Sequence, residues 1–177
     1  MRIFLIGFMG TGKTTLGKAL AIHLGITFYD LDQLIEQRYM KSITDIFSKY
    51  GEDGFRELEY KILHEAGEFE NVVIACGGGT PLYYDNMDYM NRKGDTIYLK
   101  SSIETLIRRL EEDGAKRPLI AKKSGSQLKD FIVELLAKRE PYYLKARYSI
   151  KGDRLEDKKQ IAESVREIEK LLNKKLD

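Results

Sequence analysis

The sequence predicts an α/β protein, a three-layer α/β/α sandwich with a five-stranded parallel sheet at its centre. Predicted strands near residues 2–7, 27–30, 71–76, 96–100 and 148–151 alternate with segments of helical periodicity. The run at 72–75 is apolar throughout, as expected of a parallel strand that helices cover on both faces. Ligands of such sheets bind beyond the carboxyl ends of the strands, so a site is expected in the loops after the first three strands.

The first of these loops carries a phosphate-binding motif. Residues 7–14 read GFMGTGKT, which fits G-x-x-x-x-G-K-[ST] and lies between the first apolar run and a helical pattern. Glycines let the backbone turn its N–H groups inward, where with the following helix N-terminus they can hold a polyphosphate. Lys13 would reach the outer phosphates and the Thr14 hydroxyl would ligate Mg²⁺. This context makes a chance glycine-rich turn a poor alternative, and the motif indicates a user of nucleoside triphosphates.

The second loop follows the acidic pair Asp30 and Asp32, which one residue separates. By the two-residue period of a strand, both carboxylates would point the same way, toward the phosphate loop. Phosphoryl transfer to a hydroxyl needs a carboxylate near Mg²⁺ and one that orients the attacking oxygen or takes its proton. The alternative is that Asp32 is only the N-cap of the next helix.

Two segments depart from a simple alternation of strands and helices. About 40 residues separate the second and third strands, too many for one crossover helix, so we expect a helical insertion over about 33–62 that binds a substrate. The stretch 111–125 contains Gly114, Pro118 and Gly125 among several Lys and Arg residues and is expected to be a mobile lid. The segment 157–176 is predicted to be an amphipathic helix packed on the sheet through Ile161, Val165, Ile168 and Leu172.

The third loop contains three consecutive glycines, at positions 77–79. Such a loop lets a ligand approach the backbone and offers it N–H donors, although a structural turn is the alternative. In the insertion, Arg56 and Glu59 share a helix face. Alone they would be an ordinary surface ion pair, but next to a small acidic substrate the arginine would become a preorganised clamp for a carboxylate. With Arg117 and Arg139, also outside the predicted strands, this arginine suggests an anionic ligand in addition to the nucleotide.

Composition bounds the class of protein. The 177 residues fit one domain, 1–177, and a net charge of +2 gives no case for a nucleic-acid or membrane partner. A single cysteine, Cys76, excludes an internal disulfide and, following an apolar run, is expected to be a buried structural thiol. His23 and His64 lack partners at metal-ligand spacing and are interpreted as structural. Without a leader-like start or a long apolar segment, the protein is expected to be a soluble, cytoplasmic monomer.

Taken together, these residues resemble one family closely, shikimate kinase. The resemblance rests on motifs in the family's order: GFMGTGKTT at 7–15, D-x-D at 30–32, F-R-x-x-E at 55–59, G-G-G at 77–79, R-P-L at 117–119 and R-x-P-x-Y at 139–143. It implies a P-loop NTPase fold of the nucleoside monophosphate kinase type. It further implies ATP-dependent phosphorylation of the 3-hydroxyl of shikimate, on the chorismate route to aromatic amino acids, with ATP and shikimate as partners and Mg²⁺ as cofactor.

Carried over by position, the resemblance gives each candidate residue a role. Asp30 would hold Mg²⁺ through water, opposite Thr14, while Asp32 would bind shikimate hydroxyls and serve as the candidate base. The implied catalytic residues are Lys13, Asp32 and Arg117, the last as a lid cation. The implied ATP contacts are Gly10, Thr11, Gly12, Lys13, Thr14, Thr15, Arg109 (or Arg108), Arg117 and Arg154. The implied shikimate contacts are Asp32, Arg56, Gly77, Gly78, Gly79 and Arg139.

Other functions stay open at this point. The same fold serves kinases for another small hydroxylated acid or for a nucleoside monophosphate, although these acceptors do not obviously require the aspartate pair, the arginine clamp and the triple glycine together. A nucleotide-dependent switch is a different class, but the Asn-Lys-x-Asp guanine signature is absent from the sequence. A catalytically silent relative is the last alternative, and against it Lys13, Asp32, Arg56 and Arg117 are all present.

Overall fold

Five parallel strands form the centre of the protein. The computed structural model describes residues 1–113 and 123–173. The strands are β1 (Arg2–Ile6), β2 (Thr27–Asp30), β3 (Val72–Ala75), β4 (Asp95–Lys100) and β5 (Tyr148–Lys151). They pair in the order β2-β3-β1-β4-β5, every neighbour parallel. The predicted five-stranded parallel sheet is therefore confirmed.

Helices cover both faces of this sheet. They are α1 (Lys13–Leu24), α2 (Leu31–Tyr39), α3 (Ile43–Ala66), α4 (Asn86–Lys93), α5 (Ile103–Asp113), α6 (Gly125–Tyr143) and α7 (Lys158–Asn173), with a 3₁₀ turn at Thr80–Leu82. One apolar cluster joins the sheet to α1 and α7, and a second joins it to α2 through α6, which completes the predicted three layers. No helix in the described part of the chain has both the length and the apolar character to cross a bilayer.

Strand β1 shows why the strands read as continuous apolar runs. Ile3 and Leu5 point into the cluster with α1 and α7, whereas Phe4 and Ile6 point into the opposite cluster. All four side chains are fully buried. Because both faces of the strand are covered, the alternation of polar and apolar residues that marks a half-exposed strand is lost.

Residues that the sequence marked as structural have structural surroundings. Val165 and Ile168 of α7 are buried against the sheet, as the apolar stripe predicted. Cys76 is buried directly after β3, and loss of solvent around it raises the pKa of its thiol. His64 stacks on Tyr89 with ring centroids 3.7 Å apart.

Helices fill the long connection between β2 and β3. Helix α2 begins at Leu31, directly after the strand, and α3 extends to Ala66 with one interruption at Gly51, where φ is 69° and ψ is −174°. The two halves of α3 stay in contact because Phe47 stacks on Phe55 across the interruption, with centroids 4.3 Å apart. The second half carries Arg56. The predicted lid at 111–125 falls mostly on 114–122, outside the described residues.

Packing of α1 on the sheet can be tested with two positions on this helix. Leu20→Ala should lower the free energy of unfolding by about 2–5 kcal/mol, because Leu20 is fully buried and its truncation leaves a cavity. Ile22→Ala, at a side chain that is 82% exposed, should change it by less than about 0.5 kcal/mol. Urea unfolding followed by circular dichroism measures both, and equal losses would contradict this orientation of α1.

Candidate active site

A cavity of about 460 Å³ lies at the carboxyl edge of the sheet, where the loops after β1, β2 and β3 meet. This is the edge at which the sequence predicted a site. Ten of the predicted site residues line the cavity: Gly10, Gly12, Lys13, Thr14, Thr15, Asp30, Asp32, Gly77, Gly78 and Arg109. The side chain of Thr11 is instead buried inside the phosphate loop, where its hydroxyl donates a hydrogen bond to the Phe8 carbonyl at 2.9 Å.

The phosphate loop is built to surround an anion. Helix α1 starts at Lys13, and its N-cap, Gly12, has no side chain to satisfy the first N–H groups of the helix. These donors and the positive end of the helix therefore face the cavity mouth. The Lys13 ammonium folds over the loop and donates to the carbonyls of Gly7 (2.9 Å) and Phe8 (2.8 Å). This arrangement places a positive charge beside the N-terminus of α1.

Asp30 joins the phosphate loop to the second strand. Its Oδ2 accepts a hydrogen bond from the Thr14 hydroxyl at 2.8 Å, and its Oδ1 accepts from the backbone N–H groups of Asp32 (3.1 Å) and Gln33 (3.5 Å). Asp30 is therefore the N-cap of α2. Both aspartates line the cavity as expected, but the reason given, strand periodicity, was wrong, because the helix begins at Leu31. The alternative that Asp32 is the cap was also wrong.

Thr14 and Asp30 fit a magnesium ion. Hydroxyl and carboxylate oxygens are the ligands that this hard cation prefers. Among residues 1–113 and 123–173, no cluster of three or more His, Cys, Asp and Glu side chains is arranged around a common metal position. A cation at this pair would take its remaining ligands from water and phosphate oxygens, which is how Mg²⁺ is usually bound beside a nucleotide.

The Asp32 carboxylate has an unusual proton affinity. It keeps contact with solvent through the open cavity, but protein surrounds it on the other sides. Loss of hydration, followed by the negative charges of Asp30 and Glu59, raises its pKa to about 6, against the opposing effect of Lys13 and Arg56. A carboxyl group with this pKa is ionised at neutral pH, yet it is a stronger base than an ordinary aspartate.

Two arginines pack directly on the glycine loop at residues 77–79. A β-carbon at Gly79 would lie 2.6 Å from Nη2 of Arg56, and one at Gly78 would lie 3.0 Å from Nη1 of Arg139. The Tyr143 hydroxyl fixes the loop from outside by donating to the Gly78 carbonyl at 2.6 Å. Side chains are therefore excluded from positions 78 and 79 because two guanidinium groups occupy the space that they would need.

Arg56 is half of a buried ion pair. Its Nη1 donates to Oε2 of Glu59 at 2.8 Å, and Glu59 is only 1% exposed. The second oxygen of Glu59 accepts a hydrogen bond from the Thr80 hydroxyl at 2.6 Å. What looks in the sequence like an ordinary helical ion pair is thus removed from water and held in one geometry, as a preorganised carboxylate clamp requires.

Both arginines retain an unsatisfied donor. Arg56 and Arg139 are buried, and the Nε atom of each has no hydrogen-bond partner within the described part of the protein. A buried cationic donor without an acceptor is costly, so two such arginines on one glycine loop indicate a place for an anion. The sequence prediction of an anionic ligand beside the nucleotide therefore has a specific location, next to Gly78 and Gly79.

Arg109 and Arg154, the two predicted ATP contacts outside the phosphate loop and the lid, differ in location. Arg109 lines the cavity and links two of its walls, because its guanidinium donates to the carbonyls of Gly10 (3.3 Å), Gly152 (2.9 Å) and Asp153 (3.3 Å). Arg154 is exposed and lines a separate cavity beside β5, so its role stays a prediction. The predicted lid cation, Arg117, lies outside the described residues.

Sequence reasoning missed three residues around the Arg56 clamp. Glu52 accepts a hydrogen bond from Nη2 of Arg56 at 3.2 Å, and its spacing of four residues on a helix could have revealed it. Thr80 and Tyr83 come from the segment after β3, and they reach the clamp only through the fold. No local pattern in the sequence marks either of them.

The fold and the cavity define a class of protein. A parallel α/β sheet carries a phosphate loop after β1, and an oxygen pair that suits Mg²⁺ stands beside that loop. A basic carboxylate, Asp32, lines the same cavity, and two buried arginines pack on the glycine loop, whose Gly77 and Gly78 also line it. This combination is that of a P-loop kinase that acts on a small acidic acceptor.

Comparison with known proteins identifies the family. A model of the shikimate kinase family matches residues 9–170. The shikimate kinase of Phocaeicola vulgatus is 55% identical over 173 residues, which cover 98% of this chain and 99% of that protein. The crystal structure of shikimate kinase from Bacteroides thetaiotaomicron has a TM-score of 0.95 at 50% identity, covering 98% of each chain. A solved structure of shikimate kinase from Acinetobacter baumannii in complex with shikimate has a TM-score of 0.85 at 32% identity, covering 98% of this chain and 93% of the other. The chain belongs to the shikimate kinase family.

Adjacent arginines of α5 provide a test of the nucleotide side of the cavity. Arg109→Ala should weaken binding of MgADP by about tenfold, because it removes the donors that hold the phosphate loop against residues 152–153. Arg108→Ala removes a half-exposed side chain whose hydrogen bonds go to Glu156, and it should change binding by less than about twofold. Isothermal titration calorimetry compares the variants, and equal losses would argue against Arg109 as a wall of the nucleotide site.

Proposed function

We propose that this protein transfers the γ-phosphoryl group of ATP to the 3-hydroxyl of shikimate, with ADP and shikimate 3-phosphate as products. The observation that carries the proposal is the pair of buried arginines, Arg56 and Arg139, each with an unsatisfied Nε beside the glycine loop. An acceptor with one carboxylate and several hydroxyls suits this arrangement, since the carboxylate can meet the guanidinium groups while a hydroxyl meets Asp32. Family membership supports the same acceptor.

Each group of the cavity has a task in the transfer. The loop amides and Lys13 hold the phosphates, and Thr14 and Asp30 would hold Mg²⁺, which when bound neutralises part of the phosphate charge. Asp32 accepts a hydrogen bond from the acceptor hydroxyl and orients the oxygen toward the γ-phosphorus. As the new P–O bond forms and the bond to the ADP oxygen breaks, Asp32 takes the hydroxyl proton. Positioning and charge stabilisation thus provide most of the catalysis.

The remaining assignments are proposals that the motifs support. We propose one kinase domain in which residues 33–62 bind the acid and 111–125 form the lid, with Arg117 as the cation that closes over the transferring group. Gly77 and the Gly78–Gly79 backbone would contact shikimate. Arg109 and Arg154 would contact the adenine side of ATP. We also propose that the protein acts as a cytoplasmic monomer, without nucleic-acid or membrane partners. Size-exclusion chromatography with light scattering tests the oligomeric state.

Acceptor identity is tested by ADP release. Purified protein with MgATP is incubated with shikimate, gluconate, AMP or no acceptor, and ADP is measured by a coupled assay. We expect ADP release that depends on shikimate, with phosphate recovered on the acid. Release only with gluconate or AMP would keep the kinase class and exclude the proposed acceptor, while release equal in all wells would show an ATPase.

The arginine clamp should act on one substrate alone. Arg56→Ala should raise the KM for shikimate by about a hundredfold and leave the KM for ATP within about twofold, because the clamp holds the acid in both ground and transition states. Arg92→Ala is the matched control, since Arg92 is an exposed arginine that pairs with Asp85 away from the cavity. Steady-state kinetics with each substrate varied measure both variants. A change confined to the KM for ATP would exclude the clamp.

Asp32 should control the acid limb of the pH profile. Its raised pKa means that the carboxylate is protonated below about pH 6 and available as a base above it, so kcat/KM for shikimate should rise with pH through an apparent pKa of about 6. Asp32→Asn should lower kcat strongly and remove this limb. Asp88→Asn, at an exposed position of α4, should leave the profile unchanged. An unaltered limb in Asp32→Asn would assign the titration to another group.

A further inference from the structure

One aromatic side chain contacts the Arg56 clamp from a different part of the chain. The guanidinium carbon of Arg56 lies 4.2 Å from the centroid of the Tyr83 ring, well within the range of a cation–π contact. The backbone of Gly79 also lies against this guanidinium. The planar head of Arg56 is therefore bordered by a ring as well as by the glycine loop.

The Tyr83 ring is itself held in position. Its hydroxyl donates a hydrogen bond to Oε1 of Glu52 at 2.7 Å, and the same oxygen accepts from Nη2 of Arg56 at 3.2 Å. This hydrogen bond from Tyr83 is the largest influence that lowers the pKa of the Glu52 carboxyl, so Glu52 stays charged beside the arginine. Tyr83, Glu52 and Arg56 thus form a closed triangle of contacts.

The triangle joins two elements that the chain connects only through β3. Glu52 and Arg56 lie on the second half of α3, directly after the interruption at Gly51. Tyr83 follows the 3₁₀ turn that starts beyond the glycine loop. Thr80, on the same segment, reaches Glu59, which fixes the other end of the guanidinium. Side chains from two elements therefore hold one arginine, while its Nε stays unsatisfied.

We propose that Tyr83 is a positioning residue for the acidic substrate: its ring, anchored on Glu52, sets the plane of the Arg56 guanidinium so that Nε is presented to the substrate carboxylate. The inference rests on the proposed function, because it assumes that Arg56 binds a carboxylate. An arginine side chain that is free to rotate loses conformational entropy when it binds. A ring that holds the guanidinium in place beforehand removes part of this loss, so it improves the affinity for the acid without touching it.

Tyr84 provides a matched control. It is the next residue, it is also a tyrosine, and it is 59% exposed. Its ring packs near Tyr60, with centroids 5.0 Å apart, and not on the clamp. Truncation of either tyrosine removes the same atoms from the same loop, but only truncation at position 83 removes the contact with Arg56.

The experiment compares wild type, Tyr83→Leu, Tyr83→Phe and Tyr84→Leu in steady-state kinetics with each substrate varied. Tyr83→Leu should raise the KM for shikimate by about tenfold, and Tyr83→Phe, which keeps the ring, by about threefold or less. The KM of Tyr84→Leu for shikimate should stay within about twofold of wild type. The KM for ATP should stay within about twofold of wild type in all variants. In an Arg56→Ala background, Tyr83→Leu should raise the KM for shikimate by less than about a further twofold, because no guanidinium remains to be positioned.

Four results would overturn the inference in a wild type that phosphorylates shikimate. The first is a KM for shikimate in Tyr83→Leu that is no higher than in Tyr84→Leu, and the second is a KM in Tyr83→Phe that is as high as in Tyr83→Leu. The third is a parallel rise in the KM for ATP. The fourth is a rise in the KM for shikimate from Tyr83→Leu that is just as large in the Arg56→Ala background. Failure of the proposed function has a different signature, since wild type itself would then release no ADP with shikimate.

Discussion

The pairing of β3 with both β1 and β2 is the constraint on which the site depends. Ala75 is opposite Leu5 on one side and Asp30 on the other, so the three strands end at the same level of the sheet. The phosphate loop, Asp30 and the glycine loop consequently start side by side, although they are far apart in sequence. The Thr14–Asp30 hydrogen bond and the cap of α2 then join two of these loops into one wall of the cavity.

Charge dominates the interior of this edge, and most of it is compensated within the protein. Both carboxylate oxygens of Asp30 accept hydrogen bonds from neighbouring groups. Both oxygens of Glu59 likewise accept hydrogen bonds, from Arg56 and Thr80. A buried ion pair contributes little net stability, since desolvation offsets its attraction. Its effect here is geometric, because it holds the Arg56 guanidinium at a fixed place before any ligand binds. The unsatisfied Nε of that guanidinium then favours an anionic ligand.

The sequence predicted the layers and the cavity walls well, because those features have local signals. Continuous apolar strands, the phosphate-loop pattern and the glycine loop each depend on neighbouring residues, and both loops were found at the expected edge of the sheet. The predicted alignment of Asp30 and Asp32 along a strand was wrong, because Asp30 is the N-cap of α2 and Asp32 already lies in the helix. In the sequence, a cap at Asp30 and a cap at Asp32 look alike until the start of α2 is known. The contacts of Thr80 and Tyr83 with the clamp could not be predicted, because they join segments that only tertiary packing brings together.

The interruption of α3 at Gly51 has a consequence for which residue can stand there. Among the described residues, nothing lies within 4 Å of where a β-carbon would be, so space does not demand a glycine. The demand comes from φ and ψ, a combination that is essentially closed to residues with an L side chain. Reversing the sign of both angles gives the extended polyproline-type backbone that such residues adopt readily. The interruption before the clamp therefore depends on chirality. At Gly51 the backbone adopts a conformation natural to a D-amino acid, and glycine is the only genetically encoded residue that lacks the chirality of an L-amino acid.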